Sequence, residues 1–311
     1  MPAARKQRQP GKPETKKGIS PSCVFLPEGQ WATCADFLAE RFPAISIKEW
    51  QARITEGQVF DAEGKCIELH QPYRHGSLLY YYRRLPSETA IPFSETILYQ
   101  DEWIVVADKP HYLPVIPAGR YLEETLLVRL KRRTHIETLS PIHRIDRETA
   151  GIVVFSVRPE TRSLYQTLFY NRSVEKHYEA IAPYRPDISL PLLYRSRLAA
   201  SPASFMKMEE TEGAPNAETR IRLMETKGRL ARYALEPLTG KKHQLRVQMA
   251  ALGIPILNDR IYPYLHPEEK NAESQARAFA SPLQLLAKTI AFRDPVTGQH
   301  RYFESEQQLR F

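Results

Sequence analysis

No stretch of this sequence is apolar for long enough to cross a bilayer. The longest runs, such as Gly151 to Val157 with Ser156 inside it, fall far short of the ~20 residues a span needs. The start is basic and lacks the apolar segment of a signal peptide, so no membrane association is expected and the chain reads as cytoplasmic. Cysteine is scarce as well. Cys23, Cys34 and Cys66 are odd in number and widely spaced, without the paired spacing of a zinc site or a redox couple, and should be reduced and packed. Other chemistries are missing their parts. Gly240-Lys241-Lys242 has neither the upstream glycine nor the Ser or Thr of a nucleotide phosphate loop, and no Gly-x-Ser-x-Gly elbow occurs. His143-Arg144 is not accompanied by the glycine loop or Asp-Phe-Gly of a kinase. His143 stands three residues before Asp146, but no clustered ligands accompany the two, and no metal is expected.

What is present describes a folded protein. Its 311 residues are 42% hydrophobic and 26% charged, ordinary values for a globular chain with a real core. A net charge of +8 points to an anionic partner, for which nucleic acid and an acidic membrane surface are the usual candidates.

Residues 1–20 are basic, with Arg5, Lys6, Arg8, Lys12, Lys16 and Lys17 among Pro and Gly, and have too little apolar surface to offset ordering; a mobile tail is expected. Residues 21–86 form a small N-terminal α/β appendage in this reading. Ala35–Phe42 suggests a helix that Pro43 ends, and Ser46 with Glu49 suggests a capping box for a second over 46–54. Val59-Phe60 and Leu78–Tyr82 follow as strands, and the appendage could hold RNA or simply pack. Residues 87–311 then form the main domain. Its expected elements are a hairpin from Ile97–Tyr99 and Trp103–Ala107, a helix with Leu122, Leu126, Leu127 and Leu130 on one face, and another opened by Arg158-Pro159. Strands are expected at Val174–Ala182, at 219–223 and 230–235 around a Lys227-Gly228 turn, and near the C-terminus, with 185–213 as an irregular excursion.

Two stretches carry chemistry. The first is His143-Arg144-Ile145-Asp146-Arg147-Glu148-Thr149-Ala150-Gly151, a polar loop running into the apolar Ile152–Phe155. Arginines on both sides of Asp146 favour its ionised form, the state of a nucleophile, although a structural ion pair would read the same way. The second is Thr239–Gly253, which reads as a helix with Leu245, Met249 and Leu252 on one stripe. Lys241, Lys242 and His243 in its first turn have the wrong sign for the helix dipole, which suggests either a bound phosphate or a mildly destabilised surface turn.

These stretches, in this order, resemble the RluA-type pseudouridine synthases. The loop is similar to that family's signature His-Arg-Leu-Asp, two variable residues, then Thr-Ser-Gly, with Ile145 and Ala150 as mild departures. Trp103 to Pro110 resembles the strand and Lys-Pro that precede the loop, and Lys176–Ala180 resembles the Lys-x-Tyr-x-Ala strand. Thr239–Gly253 resembles the Thr-Gly-Arg-x-His-Gln-Ile-Arg helix, with Lys241 in place of arginine and Lys242 where threonine is frequent; Ile254–Asp259 and Tyr262 continue the match. The likeness covers about residues 95–300. Residues 30–85 have the rough order of the RNA-binding module many such enzymes carry, but Asp61-Ala62-Glu63-Gly64 replaces its usual Val-Asn-Gly.

The resemblance implies an α+β fold with a mixed, largely antiparallel central sheet flanked by helices, and an RNA uridine isomerase that needs no cofactor. It implies Asp146 as nucleophile, Arg246 as its paired cation and Tyr178 as the ring that stacks on the target base. Arg144 would fill the gap left by a flipped uridine, and His143, Arg147, Thr149, Lys241, Lys242 and His243 complete the expected RNA-binding set. The expected partner is RNA, ribosomal or transfer, bound by a monomer. The competing expectation is a non-catalytic RNA-binding or ribosome-assembly factor that uses the same basic cleft.

Overall fold

The computed structural model describes residues 11–85, 87–204, 206–266 and 279–311, and these fall into two units. The first contains residues up to Thr89 together with 118–123 and 128–137; the second contains 90–117, 124–127 and everything from Thr138 onward.

In the first unit, the antiparallel strands β1 (Ser22–Phe25), β2 (Val59–Phe60) and β3 (Leu78–Tyr81) pair in the order β1-β3-β2. Helices α1 (Cys34–Arg41) and α2 (Ile47–Thr55) supply Phe37, Leu38, Trp50 and Ile54 to a core shared with Val59 and Leu79. The complete capping box belongs to α1, where Thr33 and Asp36 satisfy each other's backbone N–H groups. At α2 only half of the expected box forms. Ser46 accepts from the Glu49 N–H, but the Glu49 carboxylate accepts from Arg53 at 2.5 Å instead of reaching back. The expected mobile tail is also corrected in part. Residues 1–10 lie outside the described residues, but from Lys12 onward the segment is placed: Lys16 and Ile19 exchange backbone hydrogen bonds, the Tyr82 hydroxyl donates to the Glu14 carbonyl, and Arg132 Nε donates to the Lys17 carbonyl at 3.0 Å. Side chains of the unit itself satisfy carbonyls that a free tail would leave to water.

The second unit is built on an eleven-stranded sheet. Its strands are β4 (Thr96–Gln100), β5 (Ile104–Lys109), β6 (Ser140–Pro141), β7 (Ala150–Ser156), β8 (Val174–Pro183), β9 (Leu192–Ala200), β10 (Met208–Thr211), β11 (Ala217–Lys227), β12 (Leu230–Pro237), β13 (Leu285–Arg293) and β14 (His300–Glu304). The main path runs β10-β9-β11-β12-β8-β13-β7-β5-β4, with β14 on β13 and β6 on β7. Among the described residues the one parallel pairing is β13 with β7; the others are antiparallel. This is the α+β architecture with a mixed, largely antiparallel sheet. Helix α3 (Leu126–Thr134), of which residues 128–134 belong to the first unit, is later and shorter than the leucine spacing predicts, and α4 (Arg162–Tyr170) starts three residues beyond Pro159.

Two corrections bear on how the sheet was read. The excursion over 185–213 contains β9 and β10. In β9 Ser196 and Leu198 point inward while Arg195 and Arg197 lie outside, a strand alternation that a serine in a buried slot conceals. The second correction concerns Thr239–Gly253. The helix, α5, covers only Gln244–Ala251, and Lys241 and Lys242 lie in an exposed turn before it. His243, at its N-cap, is left-handed at φ 55° and makes no capping hydrogen bond with its side chain. Gln244 does that work instead, its Oε1 accepting from Lys241 N–H at 3.1 Å and from the Thr239 hydroxyl at 2.7 Å.

Helix α5 is buried from Gln244 to Met249, which fixes the direction of every side chain on it. Leu245 and Met249 enter a core with Ala180, Tyr233, Leu235 and Leu285. Gln244 and Gln248 bond to the sheet through Thr219, and Gln248 also reaches Ser196. Arg246 is left facing the loop between β6 and β7.

That loop ends at a constrained glycine. Gly151 has φ +112°, and a Cβ there would lie 2.2 Å from the Ala287 carbonyl oxygen and 2.7 Å from its nitrogen, across the parallel pairing. Gly151→Ala combines backbone strain with overpacking and should destabilise the protein by about 2–5 kcal/mol. A denaturant melt measures this through a lowered midpoint at similar slope; an unchanged midpoint would contradict the close approach.

Candidate active site

Arg246 is 1% exposed, and its guanidinium serves three carboxylates. Nε and Nη2 form a fork on Asp259 at 2.7 and 2.8 Å, and Asp259 is itself held by the backbone N–H groups of Ile261 and Tyr262. The remaining edge is aimed at the loop, with Nη1 3.3 Å from Asp146 Oδ2 and 3.5 Å from Glu148 Oε2. Surrounding carboxylates push the Arg246 pKa up even though burial works against it. The cation is therefore permanent and its orientation is fixed.

Asp146 sits in a turn closed by Thr149 N–H, which donates to the Asp146 carbonyl at 3.2 Å. Its carboxylate is a quarter exposed. The cation that faces it is Arg246, a hundred residues away in sequence, and not a neighbour on the loop. Arg147 turns aside to pair with Glu148, with Nη2 at 2.7 Å, and Arg144 is exposed. Charge along the loop points to Arg144 and Arg147, whereas the family resemblance points to Arg246, the residue whose guanidinium lies on Asp146 here.

Glu148 is a second carboxylate in the site. Burial raises its pKa, but Arg147 and Arg246 outweigh burial and hold it down at about 2. Tyr178, on β8, is protonated at neutral pH, its pKa raised by burial and by the charge of Asp146. It is half-buried against the core beneath α5.

Beneath the loop, Lys109 is fully buried and donates to the carbonyls of Pro110 at 2.9 Å and Arg147 at 3.0 Å. It ties the end of β5 to the loop that carries Asp146. Burial lowers its pKa to about 7, against the pull of Glu148 and Asp146. Beside it His111 Nδ1 lies 2.7 Å from the Glu148 carbonyl, and burial takes that imidazole down to about 4. In the unfolded chain Lys109 titrates at its ordinary 10.5, so between about 7 and 10.5 the unfolded state binds the extra proton. Stability should therefore rise with pH across that window and lose this contribution as pH falls through it. Lys109→Met should flatten that slope in denaturant melts taken from pH 7 to 10; an unaltered slope would place the titration elsewhere.

The expected RNA-binding residues separate into groups. Arg144, Lys241 and Lys242 are exposed, whereas Arg147 is half-buried in its pair with Glu148. Thr149 is buried at 2% exposure and closes the turn. His143 accepts from the Val154 N–H at 3.1 Å and stacks on Phe169 with ring centres 4.7 Å apart; burial lowers its pKa to about 3. A ring packed in this way is a structural part of the loop. His243 faces Asp146, with Nε2 3.9 Å from Oδ1.

Lys109, His111 and Glu148 escaped sequence reading as site residues, and Asp259 and Tyr262 were noted without a role. Glu148 had a local signal, two residues from Asp146 in a non-helical loop. The rest depend on long-range packing.

A family model described as RNA pseudouridylate synthase matches residues 103–251. The chain is 31% identical over 210 residues to the dual-specificity RNA pseudouridine synthase RluA of Escherichia coli, covering 67% of this chain and 91% of that protein. It is 32% identical over 240 residues to the pseudouridylate synthase RPUSD2 of Mus musculus, covering 76% of this chain and 43% of that one. The chain thus spans less than half the length of the mouse relative. Among solved structures, human RNA pseudouridylate synthase domain containing 4 matches with a TM-score of 0.51 at 25% identity, over 69% of this chain and 88% of that one.

Proposed function

Because the chain belongs to the RluA-type family of RNA pseudouridine synthases, which are isomerases, we propose that it converts specific uridines of structured RNA to pseudouridine with Asp146 as the nucleophile. The observation that carries this reading is the arrangement of Arg246. A buried guanidinium fixed on one edge by Asp259 presents its other edge to a partly exposed carboxylate, and RNA binding alone has no use for such an arrangement. Carboxylates repel phosphates. Holding one on a buried arginine at the mouth of a basic surface makes sense for a group that reacts.

The reaction breaks the bond between uracil N1 and the ribose, rotates the base and joins its C5 to the same ribose carbon. The C5 proton leaves and N1 gains one, so the product is an isomer and no co-reactant is consumed. In this reading Arg246 orients Asp146 and holds its charge, and Tyr178 stacks on the flipped base as a neutral phenol. Arg144 occupies the gap in the RNA stack, with Lys241 and Lys242 on nearby phosphates. The substrate class is ribosomal or transfer RNA, the acting species a monomer and the compartment the cytoplasm. Among the described residues no helix is long and apolar enough to cross a membrane.

The test is a map of pseudouridine in total ribosomal and transfer RNA from cells with and without the protein, complemented by wild type or Asp146→Ala. Loss of one or a few sites, restored by wild type alone, supports the reading and names the RNA. A map that does not change overturns it in favour of a binding or assembly role.

A further inference from the structure

His243, three residues before Arg246 at the start of α5, approaches the other oxygen of Asp146, and its geometry is more specific than a basic surface requires. The residue has the left-handed backbone of φ 55°, which costs free energy for any side chain but glycine, and it occupies a helix N-cap without supplying a capping bond. Both features disfavour histidine locally. Its ring is instead committed elsewhere: Nδ1 lies 2.9 Å from the Tyr262 hydroxyl, and the two rings meet edge to face at 5.7 Å. Tyr262 is in turn anchored, since its hydroxyl oxygen accepts the Met208 N–H at 2.8 Å and its own backbone N–H donates to Asp259, the partner of Arg246. With the Met208 N–H already on the Tyr262 oxygen, donation of the hydroxyl proton to His243 Nδ1 gives both roles of the hydroxyl a partner, and in that arrangement the imidazole proton sits on Nε2, the nitrogen that faces Asp146.

Resting on the function proposed above, we propose that Tyr262 and His243 form a positioning relay for the nucleophile, in which Tyr262 sets the imidazole tautomer and His243 presents a neutral Nε2–H to Asp146 Oδ1. The two carboxylate oxygens then have different partners. Arg246 holds Oδ2 at 3.3 Å, while His243 stands off Oδ1 at 3.9 Å, beyond hydrogen-bonding range in the free protein. Oδ1 thus keeps its lone pairs for attack. When the bond from Asp146 to the substrate breaks, its electron pair returns to the carboxylate, and the waiting N–H meets that charge. No proton leaves the imidazole in this step. Burial lowers the pKa of the ring below the ordinary histidine value, which favours the neutral form.

The experiment uses the full chain and RNA carrying tritium at uridine C5, with single-turnover tritium release as the readout of chemistry and filter binding as the readout of affinity. His243→Ala should slow release about 10- to 100-fold while RNA affinity stays within about twofold. Tyr262→Phe, nearly isosteric, should slow release in the same direction, and the double variant should be no slower than His243→Ala alone. His243→Gln, whose amide N–H can replace Nε2–H, should recover part of the rate. Nitrogen-15 NMR of labelled histidine should show Nε2–H in the wild type and a changed tautomer distribution in Tyr262→Phe. Release at the wild-type rate in His243→Ala, a loss confined to affinity, or an Nδ1–H tautomer in the wild type would each overturn the relay. Failure of the functional reading is separate: wild type would release no tritium, and the NMR measurement would still decide whether Tyr262 sets the tautomer.

Discussion

Asp146→Asn should abolish isomerisation while leaving RNA binding at least as strong as in the wild type. The substitution keeps the shape of the side chain and an oxygen that Arg246 can still engage, so the loop and its Thr149 turn should survive. What is lost is the carboxylate. An amide cannot form and release the covalent bond, and removing a group of this kind lowers turnover by on the order of 10⁴-fold or more. Affinity should move slightly the other way. The site loses one negative charge beside a polyanionic ligand, so the dissociation constant should fall or stay level. Single-turnover kinetics and filter binding on the same preparation separate the two effects. Residual turnover within about tenfold of wild type would remove Asp146 from the role of nucleophile, and a large loss of binding would mean that the carboxylate is structural.

That prediction is legible in the sequence because the loop is local. His143 to Gly151 are contiguous, the apolar run after them announces β7, and the tight turn at Asp146 needs only nearby residues. The hairpin β4–β5, the β11–β12 pair and the strand carrying Tyr178 were legible for the same reason, since each rests on alternation or on a short turn. Three features were not. The start of α5 was placed too early, because the stripe of Leu245, Met249 and Leu252 shows a helical face but not its first residue, and Thr239 to His243 are held as a turn by the buried Gln244 side chain. Strand β9 was hidden by Ser196, polar in sequence but buried and bonded to Gln248. Charge along the loop points to the arginines beside Asp146, and only the family resemblance points to Arg246; the fold turns Arg147 to Glu148 and brings Arg246 from α5. Local charge patterns say which groups are present, and only packing says which of them meet.

Arg246→Met offers the sharpest separation of stability from chemistry. Methionine is close in volume and suits a buried slot, but it leaves Asp259 as a buried anion whose remaining partners among the described residues are two backbone N–H groups. Asp146 and Glu148 lose the cation they share as well. Breaking a buried pair from one side costs about 3–5 kcal/mol, so the variant should unfold at markedly lower denaturant and be inactive. Inactivity alone would prove little in so destabilised a protein. Adding Asp259→Asn to Arg246→Met removes the uncompensated charge, and the double variant should recover a large part of the lost stability, a coupling readable from a double-mutant cycle. Turnover should not recover with it, because the donor to Asp146 is still missing. Arg246→Lys should fall between: one ammonium keeps the charge and the fold but cannot serve Asp259 with a fork while also reaching Asp146, so turnover should drop by about 10²-fold with a smaller loss of stability. If turnover returned in the double variant in step with stability, Arg246 would be a structural residue and the orientation of Asp146 would have to come from the His243 side of the site.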